Sequence, residues 1–449
     1  MQPSTDRIVA VDAYRGMVIF LLIPDLYGGF SFHTMARQFP DDPVWANLAA
    51  WFTHVQWSGF SVWDLIMPSF VFLVGVVMPL SAAARRRRGA TEPQIFGHVA
   101  LRAAALLLLP LFLLILQNRE RSYLDELWPF ILLAAGLPVF ERLAATMGIA
   151  SAPVKHRIEL TWWSAMVAAS ALRLLANIGA IELDFNHVFS QLALASIFAF
   201  LLVGKSRSVQ VGCLLAILVA YWTLFVMYPL PPSGLDPSKT GIQPGDEVFS
   251  GLFAHWNKNT NAAAAFDVWF LNLLPRAEPF LFQEKGLQTL NFIPTIATMI
   301  FGVMAGELLL SGRAKTQIAN ALFLTGAAVL IAGLVAGQWL CPIVKSIWTP
   351  SWVLFSSGVT ILVLAAFYRA CDIREWRAWA FPFVVLGTNS ILLYTLAYYK
   401  WRFLSIPEKL TGIDMFTGIH APVLESVVLV AMLWTIAYGL HRKRIFVKL

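Results

Sequence analysis

Apolar segments of about 20 residues recur along the whole chain and constrain its fold more than any other feature. A segment of this length crosses the hydrocarbon core of a bilayer as an α-helix, because the helix satisfies its own backbone polar groups. The pattern therefore predicts an all-α, polytopic transmembrane helix bundle with about 10 to 12 spans. The predicted spans are 14–29, 60–82, 98–117, 127–144, 161–178, 188–203, 209–228, 288–310, 318–337, 350–368, 380–400 and 422–440.

The composition supports the lipid bilayer as a partner of this chain. Of 449 residues, 58% are hydrophobic and 13% are charged, whereas about 25% of residues are charged in a soluble domain. The net charge of +7 would favour nucleic acid in a soluble protein. Here the basic residues lie between apolar segments, which is typical of membrane topology signals, so we expect no nucleic-acid partner. The three cysteines show no CxxC spacing, so we expect neither a metal site nor a disulfide framework.

Lysine and arginine placement predicts the orientation. An arginine run at 85–88 and a basic stretch at 441–444 follow predicted spans, and most basic residues fall on the same side as these two. We therefore expect both termini in the cytoplasm and a single domain over 1–449. Two long loops, 30–59 and 229–287, would lie outside. The second is longer than a connection needs, so we expect it to cap an outer site.

The most informative polar residues lie at the outer end of the second predicted span. His54 comes just before this span, and Asp64 falls inside it, four residues from Pro68. Charged groups at membrane depth are costly, so a functional role is the first hypothesis for Asp64. Two structural alternatives stay open. Asp64 could be a hydrogen-bonded helix-start carboxylate, and His54 could be an interfacial loop histidine beside Trp57.

Three further residues are candidates for function. Arg15 lies three residues after Asp12 on the predicted cytoplasmic rim, where the alternative is an anchoring ion pair. Asp25 follows a proline near the outer boundary and either approaches the His54 region or is solvated there. Asn389 forms a polar notch in an apolar span, where the alternative is hydrogen bonding between helices.

Several motifs resemble those of the heparan-α-glucosaminide N-acetyltransferase family and its bacterial relatives. They occur in the family's order and extend from near residue 7 to the C-terminus. The motifs are Asp12-Ala-Tyr-Arg-Gly16, His54-x-x-Trp57-x-Gly59 with Asp64 to Gly75, Gly302-Val-Met-Ala-Gly306, Asn389-Ser-Ile-Leu-Leu-Tyr394 and Arg442 to Lys448.

The resemblance implies a transmembrane acyltransferase in the bacterial inner membrane. Such an enzyme takes an acetyl group from cytoplasmic acetyl-CoA and delivers it to a sugar amine or hydroxyl of the cell envelope, on the periplasmic side. His54 has the position of the family's catalytic histidine, and imidazole can accept a proton near neutral pH or carry the acyl group. Acetyl-CoA is then a co-substrate, no metal is required, and a homodimer is implied.

The acyltransferase hypothesis gives roles to individual residues. The expected catalytic pair is His54 and Asp64. Arg15 and Asn389 are expected to contact acyl-CoA, and Asp25 and Trp57 are expected to contact the acceptor.

The chain departs from the family pattern at several positions: a family asparagine aligns with Leu26, a family histidine aligns with Ala397, and the stretch Val188-Phe-Ser-Gln191 lacks a family arginine. Two other functions therefore stay open. One is a proton-coupled carrier or flippase, in which buried carboxylates and a histidine relay protons. The other is a catalytically degenerate membrane scaffold of the same fold.

Overall fold

A computed structural model describes residues 8–24, 29–117, 184–231, 240–243, 245–274, 276, 278–398, 400–413 and 415–446. Within these ranges the chain forms helices and no β-strand, which confirms the predicted all-α class. The α-helices are α1 (Val9–Leu22), α2 (Phe32–Gln38), α3 (Pro43–Phe52), α4 (Ile66–Arg87), α5 (Glu92–Gln117), α6 (Val188–Phe200), α7 (Arg207–Met227), α8 (Ala262–Leu271), α9 (Phe292–Leu309), α10 (Lys315–Trp339), α11 (Pro350–Tyr368), α12 (Phe381–Thr388), α13 (Ser390–Ala397), α14 (Lys400–Thr411) and α15 (Ala421–Arg442).

Six helical segments in the described part of the chain are long and apolar enough to cross a membrane. The protein is therefore a multi-pass membrane protein, as the apolar runs predict. Each of the six overlaps a predicted span. They are Trp63–Arg87, Arg207–Met227, Thr289–Leu309, Lys315–Trp339, Pro350–Ile373 and Ala421–Arg442.

The other predicted spans differ in detail from the helices. Helix α5 covers the segment 98–117, and α6 is shorter than the segment 188–203. The segment 380–400 is not one continuous helix, because α12 and α13 are separated at Asn389. The predicted spans 127–144 and 161–178 lie outside the described residues.

Helix α1 begins at Val9, earlier than the predicted residue 14, because a distant carboxylate caps it. The backbone N–H groups of Val9 and Ala10 donate to the two carboxylate oxygens of Asp372, at 3.1 and 2.9 Å. The first N–H groups of a helix have no partner inside the helix, so an external carboxylate stabilises the start of α1. Asp372 lies in the short π-helix that follows α11.

Glycines bring α4 and α9 into backbone contact. A Cβ atom on Gly302 would lie 2.1 Å from the Phe72 carbonyl oxygen, and a Cβ atom on Gly306 would lie 2.3 Å from the Val76 carbonyl oxygen. On the other helix, a Cβ atom on Gly75 would lie 2.2 Å from the Met299 carbonyl oxygen. The small-residue motif at 302–306 is therefore a packing surface for α4.

The two ends of the bundle are named after the residues near the two ends of α4. We call the end at which α4 begins the His54 end, and the end at which α4 finishes in the arginine run 85–88 the Arg85 end. The segment 240–287 packs at the His54 end, where Trp57 and Trp256 belong to one apolar cluster. There, Ser58 donates from its backbone N–H and its hydroxyl to Glu247, at 3.1 and 2.8 Å.

Candidate active site around His54

His54 and Asp64 lie on the two sides of an irregular segment between α3 and α4. Helix α3 ends at Phe52, and a 3-10 turn over Trp63–Leu65 leads into α4. The segment in between is tied to a second loop, because the Gly59 N–H donates to the Ile343 carbonyl at 2.9 Å. Gly59 has φ +96°, which a glycine adopts without strain. The local sequence thus holds the histidine and the aspartate together at the His54 end of the bundle.

The structure brings His54 and Asp64 into hydrogen-bond contact. The His54 Nδ1 atom lies 2.7 Å from the Asp64 Oδ1 atom. The side chain of Asp64 is 1% exposed, and the side chain of His54 is 47% exposed. A buried carboxylate therefore orients a ring whose other side is open, which is the arrangement that a general base requires.

The second carboxylate oxygen of Asp64 is fully occupied by nearby donors. Oδ2 accepts from the Val55 N–H at 3.3 Å, from the Ser61 N–H at 3.1 Å and from the Ser61 hydroxyl at 3.0 Å. Hydrogen bonds of this kind stabilise the ionised carboxylate. Asp64 is therefore an anion with a fixed orientation.

Lys345 is a third member of the site that sequence reasoning missed. Its Nζ atom lies 3.0 Å from Asp64 Oδ1 and 3.0 Å from His54 Nδ1. The lysine belongs to the connection between α10 and α11, 281 residues from Asp64. A sequence signal did exist, because a lysine in a short connection on the predicted outer side runs against the usual placement of basic residues.

The pKa of His54 lies below the ordinary histidine value. Burial lowers it most, and the charges of Lys345 and Lys285 lower it further, which together outweigh the opposite effect of Asp64. Burial also lowers the pKa of Lys345, although Asp64 acts in the other direction. The imidazole is consequently uncharged at neutral pH and able to accept a proton.

Trp57 supports the segment that carries His54. Its ring is buried, and its Nε1–H donates to the Trp256 carbonyl oxygen at 3.1 Å. The backbone at Gly286 lies against the ring, since a Cβ atom there would be 2.5 Å from it. Trp57 therefore joins the segment 53–62 to the segment 240–287 at the His54 end.

Arg15 and Asn389 lie in a different part of the molecule from His54. The Arg15 guanidinium donates to the Gly387 carbonyl at 3.4 Å and lies 3.7 Å from the Asp12 carboxylate. The Asn389 side chain donates to the Ile445 carbonyl at 3.2 Å. The ion-pair alternative for Arg15 thus has an observed contact, whereas the Asn389 amide contacts a backbone carbonyl beyond the end of α15. Asp25 lies outside the described residues.

Two further arginines, Arg85 and Arg102, belong to the same part of the molecule as Arg15. The charges of Arg15 and Arg85 act on Arg102, which projects from α5. In the described part of the chain, the buried Nε atom of Arg102 has no hydrogen-bond partner. The charges of Arg15 on α1 and Arg85 on α4 thus both act on Arg102 of α5, and we call these three residues the basic region around Arg15. Arginines suit a phosphate-bearing ligand.

Metal-ligating residues do not cluster in the described ranges. No group of three or more histidine, cysteine, aspartate or glutamate side chains there could hold a metal ion. The three cysteines, Cys213, Cys341 and Cys371, are free thiols.

Comparison with known proteins identifies distant relatives of this chain. No family model matches the chain. Human heparan-alpha-glucosaminide N-acetyltransferase is 24% identical over 479 aligned residues, which cover 100% of this chain and 62% of the human protein. The mouse protein of the same name is 22% identical over 467 residues, which cover 99% of this chain and 61% of the mouse protein. The chain is a distant relative of these N-acetyltransferases.

This relationship agrees with the resemblance seen in the motifs. It extends over the whole chain and so includes both the His54 site and the region of Arg15 and Asn389. The chain nevertheless spans less than two thirds of the length of the human and mouse N-acetyltransferases.

Proposed function

We propose that this chain is a membrane-embedded acyltransferase that moves an acetyl or other acyl group from acyl-CoA to a sugar amine or hydroxyl. The observation that carries the proposal is the 2.7 Å contact between His54 Nδ1 and the buried Asp64 carboxylate, on a ring that is half exposed. The names of the human and mouse relatives support the same reaction class.

The His54 site can perform the proton transfers that this reaction needs. The acceptor gives its proton to His54 Nε2 while its nitrogen or oxygen forms a bond to the thioester carbonyl carbon. The carbon–sulfur bond then breaks, and His54 returns the proton to the sulfur of CoA. Asp64 accepts the hydrogen bond from Nδ1–H throughout and so stabilises the transient imidazolium.

An acyl-histidine route uses the same geometry. In that route Nε2 itself bonds to the carbonyl carbon and CoA leaves as its thiolate. The acceptor then attacks the acyl carbon, the bond to Nε2 breaks, and the freed Nε2 takes the proton of the acceptor and passes it to the thiolate. Asp64 holds the ring in the same tautomer in both routes. The two routes differ in whether label from acyl-CoA remains on the protein when no acceptor is present.

The basic region around Arg15 is our proposed site for the phosphates of acyl-CoA. The guanidinium groups of Arg15, Arg85 and Arg102 supply the charge, and bidentate contacts to phosphate are the favoured use of arginine. Asn389 lies two residues from the Gly387 carbonyl that Arg15 contacts, so its amide is a further proposed contact.

The interior of the bundle also suits the amide-bearing arm of CoA. Thr295 of α9 and Ser357 of α11 have buried hydroxyl groups that find no hydrogen-bond partner among the residues that the structure describes. Buried polar atoms normally have such partners. We therefore propose that the arm of CoA passes between these helices from the Arg85 end towards His54.

The arginine run at 85–88 supports an orientation with the Arg85 end in the cytoplasm. The donor would then enter from the cytoplasm, and the acceptor would be a periplasmic sugar or glycan at the His54 end. Trp57 would support the acceptor site through the segment 53–62, and Asp25 stays a proposed acceptor contact. The bacterial inner membrane is the location that fits this arrangement.

A reconstituted assay tests the proposal. Protein in lipid vesicles is incubated with labelled acetyl-CoA and glucosamine, and labelled acetylated sugar is measured. We expect transfer by the wild type and a loss of about 100-fold or more in His54→Ala, because general-base catalysis contributes at least that much. His420→Ala is the matched control, since His420 is exposed and its ring lies against Phe39, away from a carboxylate.

Two results would contradict the acyltransferase. One is the absence of acetyl transfer from the wild type with every sugar amine and hydroxyl tested. The other is equal transfer by the wild type and His54→Ala.

A carrier is the second candidate, because α12 and α13 are interrupted at Asn389 and broken helices are common at transporter sites. Sugar uptake into the vesicles that follows a proton gradient without acyl-CoA would favour the carrier.

A further inference from the structure

The loop that carries Lys345 is fixed from several directions. The Tyr221 hydroxyl donates to the Ile347 carbonyl at 3.0 Å, and the Asn291 amide donates to the Ser346 carbonyl at 2.7 Å. Thr349 accepts the Val344 N–H through its hydroxyl oxygen at 3.1 Å. Contacts from α7, from the start of α9 and from the loop itself therefore define the position of the Lys345 backbone.

The lysine side chain reaches from this loop into the His54 site. It is 14% exposed and ends at an ammonium group that lies 3.0 Å from both Asp64 Oδ1 and His54 Nδ1. The hydrogen bonds to the neighbouring backbone groups keep the loop, and with it the start of the lysine side chain, in one position. The structure thus places one positive charge next to the imidazole.

The proton positions in this group follow from its distances. An ionised carboxylate has no proton to donate, so the 2.7 Å contact between Asp64 Oδ1 and His54 Nδ1 requires the hydrogen to be on Nδ1. An Nδ1–H group cannot accept a hydrogen bond from Lys345. The ammonium group therefore donates to Asp64 Oδ1, and Nε2 of His54 carries the lone pair.

We propose that Lys345 is a positioning residue that keeps His54 uncharged, while Asp64 holds the ring proton on Nδ1 and leaves Nε2 ready to accept a proton. The catalytic consequence rests on the proposed acyltransferase function. The charged groups that face the ring are Asp64 at the start of α4, Lys345 before α11 and Lys285 from the segment 240–287. The two lysine charges disfavour protonation of the His54 ring, and the Asp64 charge favours it.

This charge balance has a direct chemical effect on the proposed reaction. Once His54 has taken a proton from the acceptor, its imidazolium lies beside an ammonium group, which makes it a stronger acid. It then returns its proton to the sulfur of CoA more readily. The same repulsion keeps the free ring uncharged at pH values below the ordinary histidine pKa of about 6.5.

Removal of the lysine charge reverses this effect. In Lys345→Met the imidazolium keeps its attraction to Asp64 and loses the repulsion, so the pKa of His54 rises. A nearby charge typically shifts a pKa by about one unit or more. The acid limb of the pH–rate profile should then move to higher pH by a similar amount. Lys345→Arg retains the charge and should stay close to the wild type.

Nitrogen-15 spectra of histidine-labelled protein in lipid nanodiscs test the proposal without any substrate. The chain has 8 histidines, and the signals lost in His54→Gln identify those of His54. We expect the wild-type ring to show the Nδ1–H tautomer and a titration midpoint below about 6.5. We expect the midpoint of Lys345→Met to be higher by about one pH unit.

Lys400→Met is the matched control. Lys400 is also a mostly buried lysine paired with a carboxylate, that of Glu425 at 3.7 Å, but it has no contact with His54. Its substitution should leave the His54 midpoint unchanged.

The proposal is overturned if the wild-type ring carries its proton on Nε2, or if Lys345→Met titrates like the wild type. Should Lys345→Met fail to fold, Lys345→Gln, which also removes the charge but keeps a polar side chain, is measured in its place with the same expected shift. The spectra need no acyl transfer, so failure of the enzyme assay with the shift intact refutes only the proposed function. Transfer with an unchanged midpoint refutes only the role of Lys345.

Discussion

At the scale of single residues, Asp64 is the centre of a buried charge network. Its carboxylate accepts from the imidazole of His54, from the ammonium group of Lys345 and from the hydroxyl and backbone of Ser61. Burying an ion pair costs desolvation free energy, which is offset only when the remaining hydrogen-bonding positions are filled. Asp64 meets this condition, so the loss of one partner leaves the other as an isolated buried charge.

Substitution of Asp64 therefore has a predictable effect on stability. Asp64→Asn leaves the Lys345 ammonium without its carboxylate, and we expect the free energy of unfolding to fall by about 3 to 5 kcal/mol. The double variant Asp64→Asn, Lys345→Met should recover part of this loss because no buried charge remains. Denaturant unfolding in mixed micelles measures both values.

An exposed ion pair provides the control for Asp64→Asn and the double variant. Glu92 bonds to Arg86 through exposed side chains, so Glu92→Gln should leave the stability unchanged. A double variant less stable than Asp64→Asn alone would show that the ammonium group has no unfavourable effect when it is left unpaired.

The sequence predicts His54 and Asp64 as site residues and misses Lys345 for a physical reason. His54 and Asp64 stand 10 residues apart at a span boundary, where polar residues are conspicuous among apolar ones. Lys345 reaches them only because the loop before α11 pairs with the segment 53–62. Pairing between two irregular loops has no period or composition that a sequence pattern could reveal.

At the scale of helices, the crossing of α4 and α9 depends on the absence of side chains. A Cβ atom on Gly302 would meet the backbone of α4 at 2.1 Å, which no rotamer change can relieve. We expect Gly302→Ala to lower the free energy of unfolding by about 1 to 3 kcal/mol, as overpacking commonly does. Thermal unfolding monitored by helical circular dichroism measures the change.

Gly212 of α7 is the matched control for this substitution, because a Cβ atom there would meet no atom within 4 Å. Gly212→Ala should be neutral or slightly stabilising, since alanine favours a helix over glycine. Equal losses in the two variants would contradict a specific role for the crossing.

Hydropathy predicted the long helices well and their ends less well. The segment 288–310 matches Thr289–Leu309 closely, because its ends coincide with a change from apolar to polar residues. The early start of α1 depends on Asp372, a residue from the other end of the sequence. The interruption at Asn389 depends on local backbone dihedrals and on a contact to Ile445. The polar notch at Asn389 is visible in the sequence, but neither of the distant partners, Asp372 and Ile445, could be predicted from local composition.

At the scale of the whole molecule, the orientation in the membrane is open to a direct test. We expect the Arg85 end and both termini to lie in the cytoplasm. In a variant without Cys213, Cys341 and Cys371, Glu284→Cys at the His54 end should react with an impermeant maleimide in intact cells. Arg88→Cys at the other end should react only after the cells are permeabilised. The reverse labelling pattern would place the acceptor site in the cytoplasm.

The cap on α1 links the beginning of the chain to a residue that is made late. Ribosomes release α1 into the bilayer long before Asp372 has been translated, so its first amide groups wait for their carboxylate, which is separated from Ala10 by 362 residues. Helix α1 also packs across α12 at Gly16 and Gly387. Helix α1 can thus contact α4 early, through Tyr14 and Ser69, but a chain cut short before residue 372 lacks the cap on its first amide groups.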